Sequence, residues 1–460
     1  MSRRSLVKLS LGAAVLGALA LALGCATKPA KAATPPATPL PIARPPAPPE
    51  KLPRVMLGID VLEAEGFKAV AGKKIGLLTH PAGVNRRGES TVDVLRRVPG
   101  VKLVALFAPE HGIDGVVKAG SNFKDTTDPR TGLPVYALYG QGHDKTAAML
   151  KGLDALVIDL QDIGARSYTF SVIMSRAMEA CFTNGVEVIV LDRPNPLGGL
   201  KVDGPPLDPD NISGVGAYPR MPYVHGLTMG EIARMAKNGS AAISSLKLTD
   251  AVRAKGRLTV IPMRGWTRNM RWPDTELKWV PTSPNIPSFE AAIGYAMVGL
   301  GTQNSPWEWG IGRDYHFRGI GFPKKTPDEI IKAMEAYKIP GLAFVKRPGT
   351  DREGKPITGV YVEITDWEKW HPTELSFYMH KQAAKWSRLN PFLALTTEEQ
   401  RSFRIHVGST AWLTELRRAG GNIDVASFLR NWTERAAIYR EQTKKFWLYP
   451  WGDTTAAARK

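Results

Sequence analysis

Three short polar clusters in this chain carry the residue types that acid–base chemistry needs: Glu110-His111, Gln161-Asp162 and Asp192-Arg193-Asn195. Each follows an apolar, β-branched run, over 101–107, 155–160 and 187–191 respectively. A carboxyl group partly withdrawn from water can hold a proton near neutrality and hand it to a leaving group. A neighbouring carboxylate or amide can orient a water or bond a hydroxylated ligand. In open parallel sheets ligands bind outside the carboxyl ends of the strands, so the three clusters are expected to converge on one cleft.

The elements that must position them read as alternating strands and helices. The patterning predicts strands over 74–79, 101–107, 134–139, 155–160 and 187–191, with helices over 90–98, 146–152 and 169–183. Short β-branched runs separated by helices mean an α/β fold with a mostly parallel sheet. We read a Rossmann-like domain over 55–240 and a smaller α/β domain over 241–460, with the cleft between them. The second part is expected to hold a strand over 359–365 and helices over 375–387 and 425–442, and its Pro281-Thr282-Ser283-Pro284-Asn285-Ile286-Pro287 run is a rigid loop. No Gly-x-Gly-x-x-Gly, Walker loop, Gly-x-Ser-x-Gly elbow or His-Glu-x-x-His helix is present, so no nucleotide cofactor is expected. His111, His143, His225 and His316 lack ligand spacing, and no catalytic metal is expected.

The first residues point to export. Arg3, Arg4 and Lys8 precede a short apolar run over 9–23, the pattern of a signal segment rather than a membrane span. Ser2-Arg3-Arg4-Ser5-Leu6-Val7-Lys8 resembles a twin-arginine signal. The run closes on Ala22-Leu23-Gly24-Cys25, which resembles a lipoprotein box with Cys25 as the lipidated residue; the alternative is an ordinary signal cleaved near Ala32-Ala33. Residues 26–54 are rich in Pro and Ala and read as an extended tether. The expected placement is therefore outside the inner membrane barrier, held by lipid. With Cys25 in the signal, Cys181 stands alone, which excludes a disulfide in the mature chain and suggests a buried thiol. The net charge of +18 suits an anionic polymer or lipid surface, and no nucleic-acid motif accompanies it.

An ordered set of motifs adds a resemblance. Leu106-Phe107-Ala108-Pro109-Glu110-His111-Gly112, Thr131-Gly132-Leu133-Pro134-Val135-Tyr136 and Asp159-Leu160-Gln161-Asp162-Ile163-Gly164-Ala165-Arg166-Ser167-Tyr168-Thr169 come first. Leu191-Asp192-Arg193-Pro194-Asn195-Pro196, His225-Gly226-Leu227-Thr228-Met229-Gly230-Glu231, the 281–287 loop and Gly301-Thr302 follow. Together they resemble the NamZ-type exo-β-N-acetylmuramidases, from about Leu57 to Tyr449. The resemblance implies removal of terminal N-acetylmuramic acid from the non-reducing end of peptidoglycan fragments, with Glu110 as the favoured catalytic residue. It also has gaps. Leu300 stands where the family commonly carries a Glu, and a Trp-rich stretch surrounds Trp307 and Trp309.

Glycoside hydrolysis needs an acid for the leaving oxygen and usually a second group as nucleophile or base. Glu110 is the candidate acid; Asp162 or Asp192 is the candidate second group, unless the acetamido group of the substrate takes that part. Arg166 and Arg193 are candidates for the lactyl carboxylate, which a planar guanidinium matches in bidentate fashion, or else they pair with Asp162 and Asp192. His111, Gln161, Tyr168, Asn195, His225 and Asn285 are candidates to bond or stack on the sugar. Half of the tryptophans are expected in the core. A non-catalytic sugar-binding lipoprotein, or a hydrolase of another wall sugar, is the alternative on the same fold.

Overall fold

A computed structural model describes residues 54–310, 314–351 and 353–452, and only the backbone of His143 and Asp144. The expected signal, Cys25 and nearly all of the tether lie outside the described residues. The larger sheet has seven strands: β1 (Lys74–Thr79), β2 (Lys102–Ala108), β3 (Thr126–Thr127), β4 (Pro134–Ala137), β5 (Ala155–Asp159), β6 (Glu187–Leu191) and β7 (Leu258–Ile261). Their order is β3-β4-β2-β1-β5-β6-β7. Only the two-residue edge strand β3 runs antiparallel.

Side chains alternate across a strand, so each strand feeds two layers. Ile75, Leu77, Val157 and Ile189 face one layer with Ile59 of α1 (Gly58–Ala64) and Val94 of α2 (Thr91–Arg96). Leu78, Leu156, Ile158 and Val188 face the other, with Ile173 and Met178 of α4 (Phe170–Thr183) and Ile232 of α5 (Met229–Asn238). Between α2 and α4 the chain makes α3 (His143–Met149). Both faces are covered, which is why β5 and β6 are buried throughout, with apolar runs over 155–158 and 188–191 rather than an alternation. From β1 the chain winds outward to β2 and β4, then returns to β5 on the opposite side. That reversal opens a crevice between the carboxyl ends of β1 and β5.

The sheet extends further than the expected boundary after residue 240. Helices α5 and α6 (Asp250–Lys255) form the crossover that brings β7 parallel to β6, Val188 opposite Leu258 through Leu191 opposite Ile261. The rest of the chain makes α7 (Phe289–Val298), β8 (Glu308–Trp309), β9 (Gly319–Gly321), α8 (Pro327–Glu335), β10 (Leu342–Thr350), β11 (Pro356–Ile364), α9 (Glu374–Trp386), α10 (Thr397–Val407), α11 (Thr410–Ala419) and α12 (Val425–Thr443). Its small sheet, β10-β11-β9-β8, is antiparallel, built on a β10–β11 hairpin paired from Leu342 to Thr350. Phe377, Trp412 and Leu300 join the same apolar cluster as α4 and α5, so both parts share a core and pack as one compact unit. Cys181 is a buried thiol on α4, and burial pushes its pKa up. Among the described residues no helix is long and apolar enough to cross a membrane.

His380 illustrates how that core is tuned. It is fully buried on α9, accepts a bond from Trp412 Nε1 at 3.2 Å, and packs against Phe392 and Phe403. Burial lowers its pKa to about 3. The unfolded chain therefore binds a proton below its ordinary value of 6.5 that the folded chain refuses until about 3. The stabilisation is complete above pH 6.5 and declines as pH falls toward the folded value. In urea unfolding at several pH values, His380→Phe should flatten the loss of stability between these limits by up to about 1.4 kcal/mol per pH unit. An unchanged slope would mean that His380 titrates normally in the folded chain.

Candidate active site

The loop after β2 folds back on itself to position Glu110. His111 takes a left-handed backbone, φ 74°, and Gly112 follows at φ 79°. His111 Nδ1 lies 2.7 Å from the Val117 carbonyl, and Val117 N donates to the His111 carbonyl. The returning chain lets Gly120 N donate to Glu110 Oε1 at 2.8 Å. Thr169 Oγ1 donates to Glu110 Oε2 at 2.6 Å. Thr169 is the N-cap of α4, yet its hydroxyl makes no capping bond and serves the carboxyl group instead. Glu110 thus sits beside the N-terminus of a fourteen-residue helix. It is 8 % exposed, and each oxygen keeps a lone pair for a ligand.

Three further groups surround it. Tyr139, just past β4, is pushed up to about 12 by its half-burial and by Glu110. Tyr295 on α7 is pushed up to about 12 by burial, and it senses both Glu110 and Asp162. Its hydroxyl is 2.9 Å from Ser167 Oγ, which bonds Tyr223 in turn. His406 at the end of α10 sets its Nδ1 2.8 Å from the Ser402 carbonyl. Burial lowers its pKa, with the Arg166 guanidinium adding to this and Glu110 opposing. A neutral imidazole with Nδ1 donating leaves Nε2 as an acceptor.

Next to Glu110, across Tyr295, lies a set of buried polar side chains, Gln161, Asp162, Tyr168, His225 and Thr282, in which Gln161 Oε1 and Asp162 Oδ1 have no protein partner. Buried polar groups are ordinarily satisfied, and a group of unsatisfied ones marks a place for ligand or water. The rest of these side chains is held firmly. Gln161 Nε2 donates to the Asp162 and Pro194 carbonyls, both at 2.8 Å. Asp162 Oδ2 accepts from Gly164 N at 2.7 Å, and His225 Nδ1 accepts from Leu227 N. That bond leaves the proton on His225 Nε2, 3.2 Å from Asp162 Oδ2. Free acceptors on fixed side chains are what the hydroxyls of a ligand require.

Other expected site residues are placed differently. Asp192 is fully buried and accepts four donors: Arg193 N, Gly230 N, Thr228 Oγ1 and the Tyr449 hydroxyl. Its oxygens are occupied and closed to solvent, so it ties β6, α5 and the C-terminal segment together and is not the second catalytic group. Arg193 makes a bidentate pair with Asp159, Nε–Oδ1 2.5 Å and Nη2–Oδ2 2.9 Å, and reaches the Val84 carbonyl. Arg166 donates to the carbonyls of Pro205, Met221, His406 and Val407 at 1 % exposure. Arg193 is committed to Asp159 and Val84, Arg166 keeps only its buried Nε unpartnered, and their partners differ from the Asp162 and Asp192 considered from sequence. Asn195 closes its own turn through Leu197 N and the Leu227 carbonyl, and Asn285 is exposed on the surface. Trp266 and Trp307 are core, with Trp307 Nε1 donating to the Met379 carbonyl. Leu300 is fully buried in apolar surroundings.

Sequence reasoning missed Thr169, Tyr139, Tyr295, His406 and His80. Tyr139 ends a strand as Glu110 does, and that signal was available. His80, after β1, accepts from Gln161 N at 3.0 Å, and burial together with Arg193 lowers it to about 3. Tyr295 and His406 lie on helices far along the chain with no local pattern to mark them.

The fold is a doubly wound α/β architecture with a fixed carboxyl group and unpartnered polar atoms beyond its strand ends, and the comparisons bear on it directly. Family models described as exo-β-N-acetylmuramidase NamZ, N-terminal and C-terminal, match residues 75–290 and 293–449. The chain belongs to this NamZ family. It is 40 % identical over 326 residues, 70 % of this chain and 75 % of the other, to the peptidoglycan β-N-acetylmuramidase NamZ of Bacillus subtilis (strain 168). Two crystal structures of DUF1343 family proteins from Bacteroides fragilis NCTC 9343 share the fold. Their TM-scores are 0.74 and 0.65 at 33 % and 27 % identity, covering 86 % of this chain and 99 % of each of theirs.

The two roles considered for Arg193 separate in one experiment. Removing one partner of a buried ion pair strands the other charge and costs about 3–5 kcal/mol. Arg193→Ala should lose stability of that order in chemical denaturation. A variant as stable as the parent, with only its substrate affinity weakened, would restore the carboxylate-binding role.

Proposed function

We infer that this chain is an exo-acting glycoside hydrolase that removes terminal β-N-acetylmuramic acid from the non-reducing end of peptidoglycan fragments, with Glu110 as the general acid. The observation that carries the reading is the carboxyl group of Glu110, fixed at the end of β2 by Thr169 and Gly120 beside unpartnered polar atoms, in a chain matched along both halves by one family. Glu110 protonates the glycosidic oxygen as its bond to the anomeric carbon breaks. Asp162, with Oδ1 free, is the second group: it receives the proton of the attacking water or orients the acetamido group of the substrate behind the anomeric carbon. Gln161, Tyr168, His225 and Thr282 hold the sugar.

Release of p-nitrophenol from p-nitrophenyl β-N-acetylmuramide tests this. Glu110→Gln and Asp162→Asn should each lower kcat by about two decades or more without loss of folded protein. Asp192→Asn should instead register chiefly as lost stability. No turnover by the folded parent would transfer the reading to a non-catalytic wall-sugar binder.

We also propose that the chain is exported and lipid-anchored through Cys25, with residues 26–54 as the tether, in support of which stand the basic start, the short apolar run and Gly24-Cys25. Cells fed a radiolabelled fatty acid should label the parent and not Cys25→Ser. Labelling of both would place the anchor elsewhere.

A further inference from the structure

Away from Glu110, the turn before α9 and one side of α12 enclose two adjoining hollows of about 230 and 490 Å³ that share Asp203, His371 and Thr433. Their walls are built, not incidental. Lys201 Nζ donates to the carbonyls of Trp367, Glu368 and Trp370 and fixes that turn. Asp203 Oδ2 accepts from both Thr373 N and Thr373 Oγ1 at 2.8 Å, which leaves Oδ1 with only His371 at 4.0 Å.

Several polar groups here have no answer within the protein. Trp370, 1 % exposed, lines the smaller hollow, and its Nε1 has no hydrogen-bond partner. Arg440 Nε, on the same wall, has none either. In the larger hollow Glu374 is half-buried, and among the described residues nothing pairs with it. Burial, with Asp203 nearby, raises it to about 7. Tyr378 and Leu429 give the same hollow apolar wall.

We propose that these hollows form one groove that holds a β-linked N-acetylhexosamine glycan at a second site, separate from the site of cleavage. Unanswered N–H donors suit the acetamido carbonyl, a strong neutral acceptor. Asp203 Oδ1 and Glu374 suit sugar hydroxyls, which donate and accept on one small unit. The apolar wall suits the faces of the pyranose rings, and two linked chambers suit more than one ring. The groove depends on the muramidase reading only for which glycan it meets, and its effect would be to keep a wall strand near the enzyme while its end is trimmed.

The probe is the β-1,4-linked tetramer of N-acetylglucosamine, which lacks the muramyl end that the cleavage site takes. The purified chain should bind it in calorimetry, and Ala437→Trp, which fills the groove from α12, should weaken binding by about tenfold or more. Glu374→Gln, which keeps shape, should weaken it less. Turnover of p-nitrophenyl β-N-acetylmuramide should be unchanged in both, with equal melting temperatures. No binding by the parent, or equal binding by parent and Ala437→Trp, overturns the groove, as does a matching loss of turnover. Groove-dependent binding by a parent without turnover sustains the groove and removes the muramidase reading alone.

Discussion

The bidentate pair between Arg193 and Asp159 is the constraint on which the catalytic end of the sheet depends. It joins the ends of β5 and β6 directly, and it reaches the loop after β1 through the Val84 carbonyl and α2 through Thr91, whose hydroxyl bonds Asp159 Oδ2 at 2.5 Å. Of these, β1 and β5 flank the crevice where the chain reverses direction. In many doubly wound folds a ligand fills that crevice. Here an internal ion pair stands at the end of β5, at 3 % and 0 % side-chain exposure, so its charges are desolvated and are held by bidentate geometry and by the added bonds to Val84 and Thr91.

The candidate site is built on the loops those strand ends support. His80 lies under Gln161 and is kept neutral by burial and by Arg193, so the clamp also sets the protonation of the group that anchors the Gln161 backbone. Gln161 and Asp162 then present unpartnered oxygens beside Glu110. A second buried network performs a similar task at the far side of β6. Asp192 collects four donors, and Glu231 pairs with Arg268 at zero exposure while also accepting Leu448 N. The C-terminal segment is thereby fastened to the sheet, and α10 with His406 is carried by the same core.

Buried carboxylates at the ends of the neighbouring strands β5 and β6 thus have different fates. Asp159 is neutralised by an arginine and Asp192 is saturated by neutral donors. Asp162 is only half satisfied. The fold thus leaves Asp162 Oδ1 without a partner, and it fixes Glu110 in place through the Gly120 amide and the Thr169 hydroxyl. The same logic separates the arginines: Arg166 and Arg193 are spent on carbonyls and on Asp159.

Much of this was legible from the chain alone. Apolar runs of β-branched residues with short helical stretches between them determine a parallel sheet, because only a strand covered on both faces is apolar at every position. The position of Glu110, Gln161-Asp162 and Asp192-Arg193 at strand ends followed from the same pattern, as did the family from its ordered motifs. What the pattern could not decide was which polar residue serves the fold and which serves the substrate. Asp162 and Asp192 have identical chemistry and equivalent places at strand ends. The difference lies in partners contributed by Thr228, Gly230 and Tyr449, the last 257 residues away. Nor could local pattern bring Tyr295 and His406 to Glu110, or show that β7 extends the sheet past residue 240. Periodicity reports the burial of a segment, whereas hydrogen-bond saturation depends on donors from distant segments, and those are assembled only when the chain has folded.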